Sequence, residues 1–230
     1  MALEKVSDNY FLNKSTYVNL RWIGIIGQLS TINIVTFYFN FEFNFLLANL
    51  IVVLGILSNF FLIFIHKQNQ LSNLTSFFYL FIDIIQLSIL IYLTGGILNP
   101  FSLFLIIPSV FASSNLNIKT NLILILITII SICFLTFYHE ELPSPLNDYK
   151  VSYYYYYSIP LGLIVALIFL NFFAIMFGTE NRLRKEALDK IQEVIAKEHE
   201  LVSLGGQAAA AAHSLGTPLS TIKIIAPGIV

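Results

Sequence analysis

Apolar residues gather in six stretches, 22–40, 45–65, 75–94, 101–116, 120–138 and 157–178, separated by short polar connections. A helix that crosses a bilayer needs about 20 apolar residues at 1.5 Å of rise each. Five of the stretches reach that length. The fourth is shorter and contains Pro108, which predicts a kinked or shallow element. Ile, Leu and Phe dominate without strand-like alternation, so each stretch reads as a helix. After Phe177 the pattern changes: residues 180–204 are charged, without proline or glycine. Ala187, Val194, Leu201 and Ala208 form one row at heptad spacing, Leu188, Ile195 and Val202 the adjacent row, and Ile191 lies between them. Glu198 interrupts the stripe. The period predicts a coiled coil, and a helix of this kind is marginal alone, so a homodimer through 180–212 is expected. Gly205-Gly206 then weaken helix propensity and predict a hinge, before Ala208–Ala212 restore it.

Of the 230 residues 57% are hydrophobic and 11% charged, and the mean hydropathy is +0.80. A soluble domain is usually about a quarter charged, so the bilayer is the expected solvent for most of the chain. A formal net charge of −1 leaves no footprint for nucleic acid. With the N-terminus inside, the cytoplasmic loops collect Lys5, Lys14, Arg21, Lys67, Lys119, Arg182, Arg184 and Lys185. The opposite side holds Lys150 with Glu42, Glu140, Glu141 and Asp148. The positive-inside rule then places both termini in the cytoplasm. Cys133, the one cysteine, sits in an apolar run and reads as a small buried hydrophobe. Tyr153–Tyr157 fits an outer interfacial belt, and Arg21-Trp22 an anchor at the start of the first span. No metal site is expected.

Two features interrupt the apolar pattern. Asp83 lies mid-way along the third span with Gln86 one turn on; twelve residues before Gly95 is about 18 Å of helix. An ionisable group there is either functional or a protonated carboxyl fixing helix packing. Gln28 is placed to reach across to other helices. The run Gly95-Gly96-Ile97-Leu98-Asn99-Pro100-Phe101 ends the third span. Its plain reading is a tight inter-helix turn; its functional reading is a shallow pocket for a flat, membrane-soluble ligand with carbonyl oxygens.

His213 begins the run His213-Ser214-Leu215-Gly216-Thr217-Pro218-Leu219. Pro218 cannot donate to the carbonyl of Ser214 and is expected to bend the helix, while Leu215, Leu219 and Ile222 bury another face. An outward-facing neutral imidazole is a nucleophile toward a γ-phosphoryl group.

Leu204-Gly205-Gly206-Gln207-Ala208 to Ala212, followed by His213 and Leu215-Gly216-Thr217-Pro218-Leu219, closely resembles the phosphoacceptor box of RegB/PrrB-type redox-sensing histidine kinases. Gly95–Phe101 is similar to that family's quinone-binding heptapeptide, GGxxNPF, between spans three and four. The resemblance covers essentially the whole chain. It implies an all-α membrane protein of the bacterial inner membrane. Its parts would be a cytoplasmic segment 1–21, a six-helix sensor 22–178, a coiled-coil linker 179–206, and the start of the phosphotransfer bundle, 207–230. Ubiquinone would be sensed through Gly95, Gly96, Asn99, Pro100 and Phe101. His213 would be phosphorylated from ATP with Mg²⁺ and pass the group to a response regulator, with Thr217 and Pro218 completing the box. Ser214 stands where the family carries an acidic residue, which removes the carboxylate expected to orient the ring. The ATP-binding domain is not in this sequence, so the chain alone is expected neither to bind ATP nor to phosphorylate itself. The competing readings are a truncated, non-catalytic sensor fragment and a small transporter using Asp83.

Overall fold

The computed structural model describes residues 12–146 and 150–225, with side chains through Ser214. Asp148, expected in the outer loop, and Lys5 lie outside the described residues. The chain divides into two units, Met1–Thr179 and Glu180–Val230.

The first unit holds α1 (Lys14–Phe37), α2 (Phe45–Ile65), α3 (Asn73–Tyr92), α4 (Ile106–Asn115), α5 (Ile118–Phe137) and the beginning of α6 (Tyr153–Ile225). Four of these start on a side-chain cap that satisfies an orphan amide: Asn13 accepts from Thr16, Asn44 from Leu47, Ser72 from Thr75 and Asn117 from Thr120. Five helices, α1, α2, α3, α5 and α6, are long and apolar enough to cross a membrane. The fourth apolar stretch differs, as its proline and length suggested. Pro100–Leu105 is 3-10 and only the following ten residues, Ile106–Asn115, are α-helical.

The described residues are not wholly helical. Leu12–Asn13 (β1) pairs antiparallel with Gln70–Leu71 (β2). This strap closes the bundle where α1 begins and α2 ends, and Leu12 and Leu71 are buried beneath it. Beside it Lys14 Nζ donates to the carbonyls of His66 (2.5 Å) and Ile63 (3.4 Å), a cation on the open carbonyls of the α2 terminus. Helix α1 therefore starts at Lys14, inside the segment expected to precede the membrane.

That earlier start carries Arg21 two turns into the bundle, where it is 6% exposed. It is not an interfacial anchor. Arg21 Nε donates to Asp83 Oδ1 at 3.0 Å, Nη2 lies 2.8 Å from the same oxygen, and Nη2 also donates to Ser58 Oγ at 3.0 Å. Tyr17 Oη donates to Asp83 Oδ2 at 2.5 Å. Tyr17 and Tyr79 also flank the guanidinium, 5.6 and 5.8 Å from their ring centroids. Asp83 is thus held by a cation, where a protonated carboxyl was one expectation, and α1, α2 and α3 are joined at one point. Trp22 turns away and meets Phe60 edge-on.

Cys133 is exposed, on the outer face of α5 with Ile130, Phe134 and Phe137, and is not buried as expected. In a bilayer that face meets acyl chains, which accept a thiol as readily as a protein core does.

The second unit is the remainder of α6. Its stripe residues Leu188, Ile191, Val194, Ile195, Leu201 and Val202 are all exposed in the single chain. Glu180–Arg184 and Glu193–Lys197 pair at i,i+4 along its surface. Gly205-Gly206 do not interrupt the helix, which runs on to Ile225. Two glycines cost about 1 kcal/mol each against alanine, and the five alanines that follow offset part of that cost.

Breaking a buried ion pair leaves the surviving charge without a partner, at about 3–5 kcal/mol. Asp83→Ala should therefore lower the thermal stability of the detergent-solubilised protein sharply. The double change Arg21→Met with Asp83→Leu should recover most of the loss, as followed by Tm. Equal losses in the single and double variants would show that the pair does not hold these helices.

Candidate functional site

The turn after α3 is built from its glycines. Gly95 and Gly96 have φ of 103° and 59°, a region that disfavours any side chain. They are also the places where the loop 139–142 lies closest: a Cβ on Gly96 would sit 2.3 Å from the His139 ring, and one on Gly95 2.6 Å from Leu142. His139 is fixed in turn by Tyr156 Oη at 3.1 Å, and that hydroxyl also donates to the carbonyl of Thr136. Tyr156 thus faces inward, while Tyr153, Tyr154, Tyr155 and Tyr157 are exposed as an interfacial belt requires.

Asn99 holds the rest of the turn. Its Oδ1 accepts from the Phe101 amide at 2.8 Å, and its Nδ2 donates to Thr94 Oγ1 at 2.6 Å and to the Thr94 carbonyl at 3.2 Å. Pro100 opens the 3-10 segment, where a missing N–H costs nothing. Phe101 is 41% exposed and stacks on Phe104 at 5.8 Å.

One cavity of about 440 Å³ brings the two polar features together. Asn99 and Phe101 line one end. Asp83, Arg21 and Tyr17 line the other, and Gln28 and Gln86 stand between. Gln86 Nε2 donates to Gln28 Oε1 at 3.1 Å, the reach expected of Gln28. Apart from Thr31 and Thr94 the remaining walls are apolar, among them Ile25, Ile32, Leu87, Leu90, Ile91 and the row Phe104, Ile107, Pro108. Its size falls in the range of small-molecule sites, and its few convergent polar groups in an apolar lining fit that class.

The segment 100–115 that walls this cavity has a second, buried face. Ser109 Oγ donates to Asn171 Oδ1 of α6 at 3.1 Å, and Ser113 Oγ bonds the same oxygen. Asn121 Nδ2 of α5 donates to Ser113 Oγ at 2.9 Å. A Cβ on Gly178 would lie 3.0 Å from Ser114 Cα, so α6 passes against backbone there. These serines and asparagines were not singled out from the sequence. The signal was present: polar side chains inside apolar spans, with Ser109 and Ser113 one turn apart.

His213 is exposed on α6. The side chains of Thr217 and Pro218 lie outside the described residues; the backbone there is helical. Among the described residues no cluster of three or more His, Cys, Asp and Glu side chains is placed to hold a metal ion.

No protein-family model matches the chain, and no solved structure matches it. Two curated relatives do, both sensor histidine kinases RegB of Cereibacter sphaeroides, one of them from a named strain. Each is 33% identical over 214 residues, 91% of this chain and 46% of the relative. The chain therefore spans less than half the length of the relatives it matches. Over 91% of its length the chain is thus similar to the N-terminal part of the sensor histidine kinase RegB.

Proposed function

We propose that this chain is the sensing and phosphoacceptor portion of a two-component kinase of the bacterial inner membrane. The cavity joining Asn99 and Phe101 to Gln28, Gln86 and Arg21 would sense the redox state of the ubiquinone pool. The observation that carries this reading is that cavity. The heptapeptide does not form a separate surface pocket but closes one end of a 440 Å³ apolar site. The exposed rim residues Ile23, Phe104 and Ile107 would face lipid, the compartment from which a quinone arrives.

Six crossings remain the best account of the topology, with both termini cytoplasmic. A 3-10 helix rises about 2 Å per residue. The six 3-10 and ten α-helical residues of 100–115 therefore extend roughly 27 Å, close to the ~30 Å hydrocarbon core. The exposed stripe on α6 is what a parallel dimer would cover. A ligand pressing on Phe101, Phe104 and Ile107 would move the segment whose other face is bonded to Asn171, and α6 carries that shift toward His213.

At His213 the chemistry is phosphoryl transfer. ATP with Mg²⁺, held by a separate catalytic domain, supplies the γ-phosphoryl group. The unprotonated ring nitrogen of the imidazole attacks the γ-phosphorus, the bond from that phosphorus to the bridging oxygen breaks and ADP leaves, and the other ring nitrogen gives up its proton to solvent or a base. The phosphoryl group then passes to an aspartate of a response regulator. Ser214 offers no carboxylate to orient the ring; its Oγ donates back to the carbonyl of Ala211 at 2.9 Å. The transporter alternative loses ground, because Asp83 is committed to Arg21 and Tyr17.

Three outcomes follow. With a kinase domain supplied in trans and labelled ATP, wild type should take up phosphate and His213→Ala should not; equal labelling would reject His213 as acceptor. In liposomes, Phe101→Ala should lower photolabelling by an azido-quinone several-fold, and unchanged labelling would sever the heptapeptide from the site. In a Cys133→Ser background, Val194→Cys should form disulfide-linked dimers readily and Lys197→Cys poorly. Similar yields for both would argue against pairing through the stripe.

A further inference from the structure

We infer that the ligand's polar end is recognised at the inner wall of the cavity, by Arg21 and the Gln28–Gln86 amide pair, and that Asn99 only shapes the far end. This rests on the cavity being the quinone site and names the residues that make its polar contacts.

The argument begins with what is already committed. Both ends of the Asn99 amide are used within its own turn, on Phe101 and Thr94. Its amide has little left to offer a ligand. Arg21 differs. Its Nε and Nη2 are held by Asp83 and Ser58, while Nη1 is buried and has no hydrogen-bond partner. An unmade hydrogen bond on a buried guanidinium nitrogen is costly. Arg21 lines the cavity, and a small turn of the guanidinium toward that space would let a cavity ligand supply the acceptor that buried Nη1 lacks.

The chemical class of the ligand follows from the donor set. Guanidinium nitrogens only donate, so the ligand atom must be an acceptor. The charge of Arg21 is already balanced by Asp83 at 2.8 Å, so the wall as a whole is close to neutral. That favours a carbonyl oxygen over a carboxylate or phosphate, whose burial would go uncompensated. One turn and more along the wall, Gln86 and Gln28 share a single bond of 3.1 Å. Among the described residues Gln28 Nε2 and Gln86 Oε1 make no hydrogen bond, so the pair keeps a free amide NH2 and a free amide oxygen for the ligand.

Gly55 of α2 sets the position of this pair. A Cβ there would fall 2.4 Å from Gln86 Nε2 and 2.6 Å from Oε1. Only a glycine lets the Gln86 amide lie where it does. From Asp83 to Ile91 is about 12 Å of α3, so the polar wall and the Asn99 turn are well separated. The walls between them suit a flat ring and an apolar tail.

The test uses the full chain in liposomes. The probes are decyl-benzoquinone, titrated by displacement of a photo-reactive azido-benzoquinone, and decylbenzene as the same tail without carbonyls. The variants are Arg21→Lys, which keeps a cation for Asp83, Gln28→Leu and Gln86→Met. Wild type should bind the quinone more tightly than decylbenzene. Each variant should lose about tenfold in quinone affinity, the worth of one good hydrogen bond, and keep its affinity for decylbenzene. Variants that bind the quinone as wild type does would overturn this inference and leave the quinone reading standing. A parallel loss of both probes would overturn it too, by showing a packing defect. Wild type that binds no quinone would remove the reading beneath it.

Discussion

A positive and a negative charge share the interior of a largely apolar bundle, and the rest of the first unit is arranged around that fact. Neither Arg21 nor Asp83 is tolerable alone at such depth. Together they require three helices at fixed separation, because the fork reaches Asp83 on α3 and Ser58 on α2 from a residue on α1. Tyr17, one turn before Arg21, takes the second carboxylate oxygen. The pair makes the inner wall of the cavity polar while leaving it near neutral. A site for an uncharged ligand in a membrane needs both properties.

How much of this was legible in the sequence depends on which solvent a residue meets. Long apolar runs were plain, because a crossing helix must be apolar along its length; α2, α3 and α5 follow their runs closely, while α1 starts earlier and α6 runs on far beyond. Asp83 was visible as an intruder. Its partner was not. Arg21 stands beside Trp22 at the start of an apolar run, the same pattern that an interfacial anchor shows. Only the β1–β2 strap and the Asn13 cap, which start α1 at Lys14, bring it inside. Cys133 misled for a related reason: in a membrane protein, apolar surroundings in sequence do not separate core from lipid. The glycines at 205 and 206 show the limit of propensity arguments, since helical neighbours carry the backbone through both.

The candidate site was half legible. Gly95–Phe101 was recognisable as a motif, but spacing alone could not say whether Asn99 spends its amide on a ligand or on its own turn. The structure gives the turn. Gln28 and Gln86 were noted singly, and what joins them is the missing side chain of Gly55 on a third helix. No periodicity reports that kind of contact.

The segment 100–115 changes helix type along its length. Pro100 begins it as a 3-10 helix, in which side chains three apart eclipse, so Phe101 and Phe104 stack on the cavity face. As the segment becomes α-helical the repeat lengthens, and Ser109 and Ser113 come to lie one turn apart on the face toward Asn171. The cavity-facing row and the α6-facing row lie on different sides of one short element. Ser109 and Ser113 thereby tie the element that carries Phe101 and Phe104 to Asn171 of α6, through buried polar contacts.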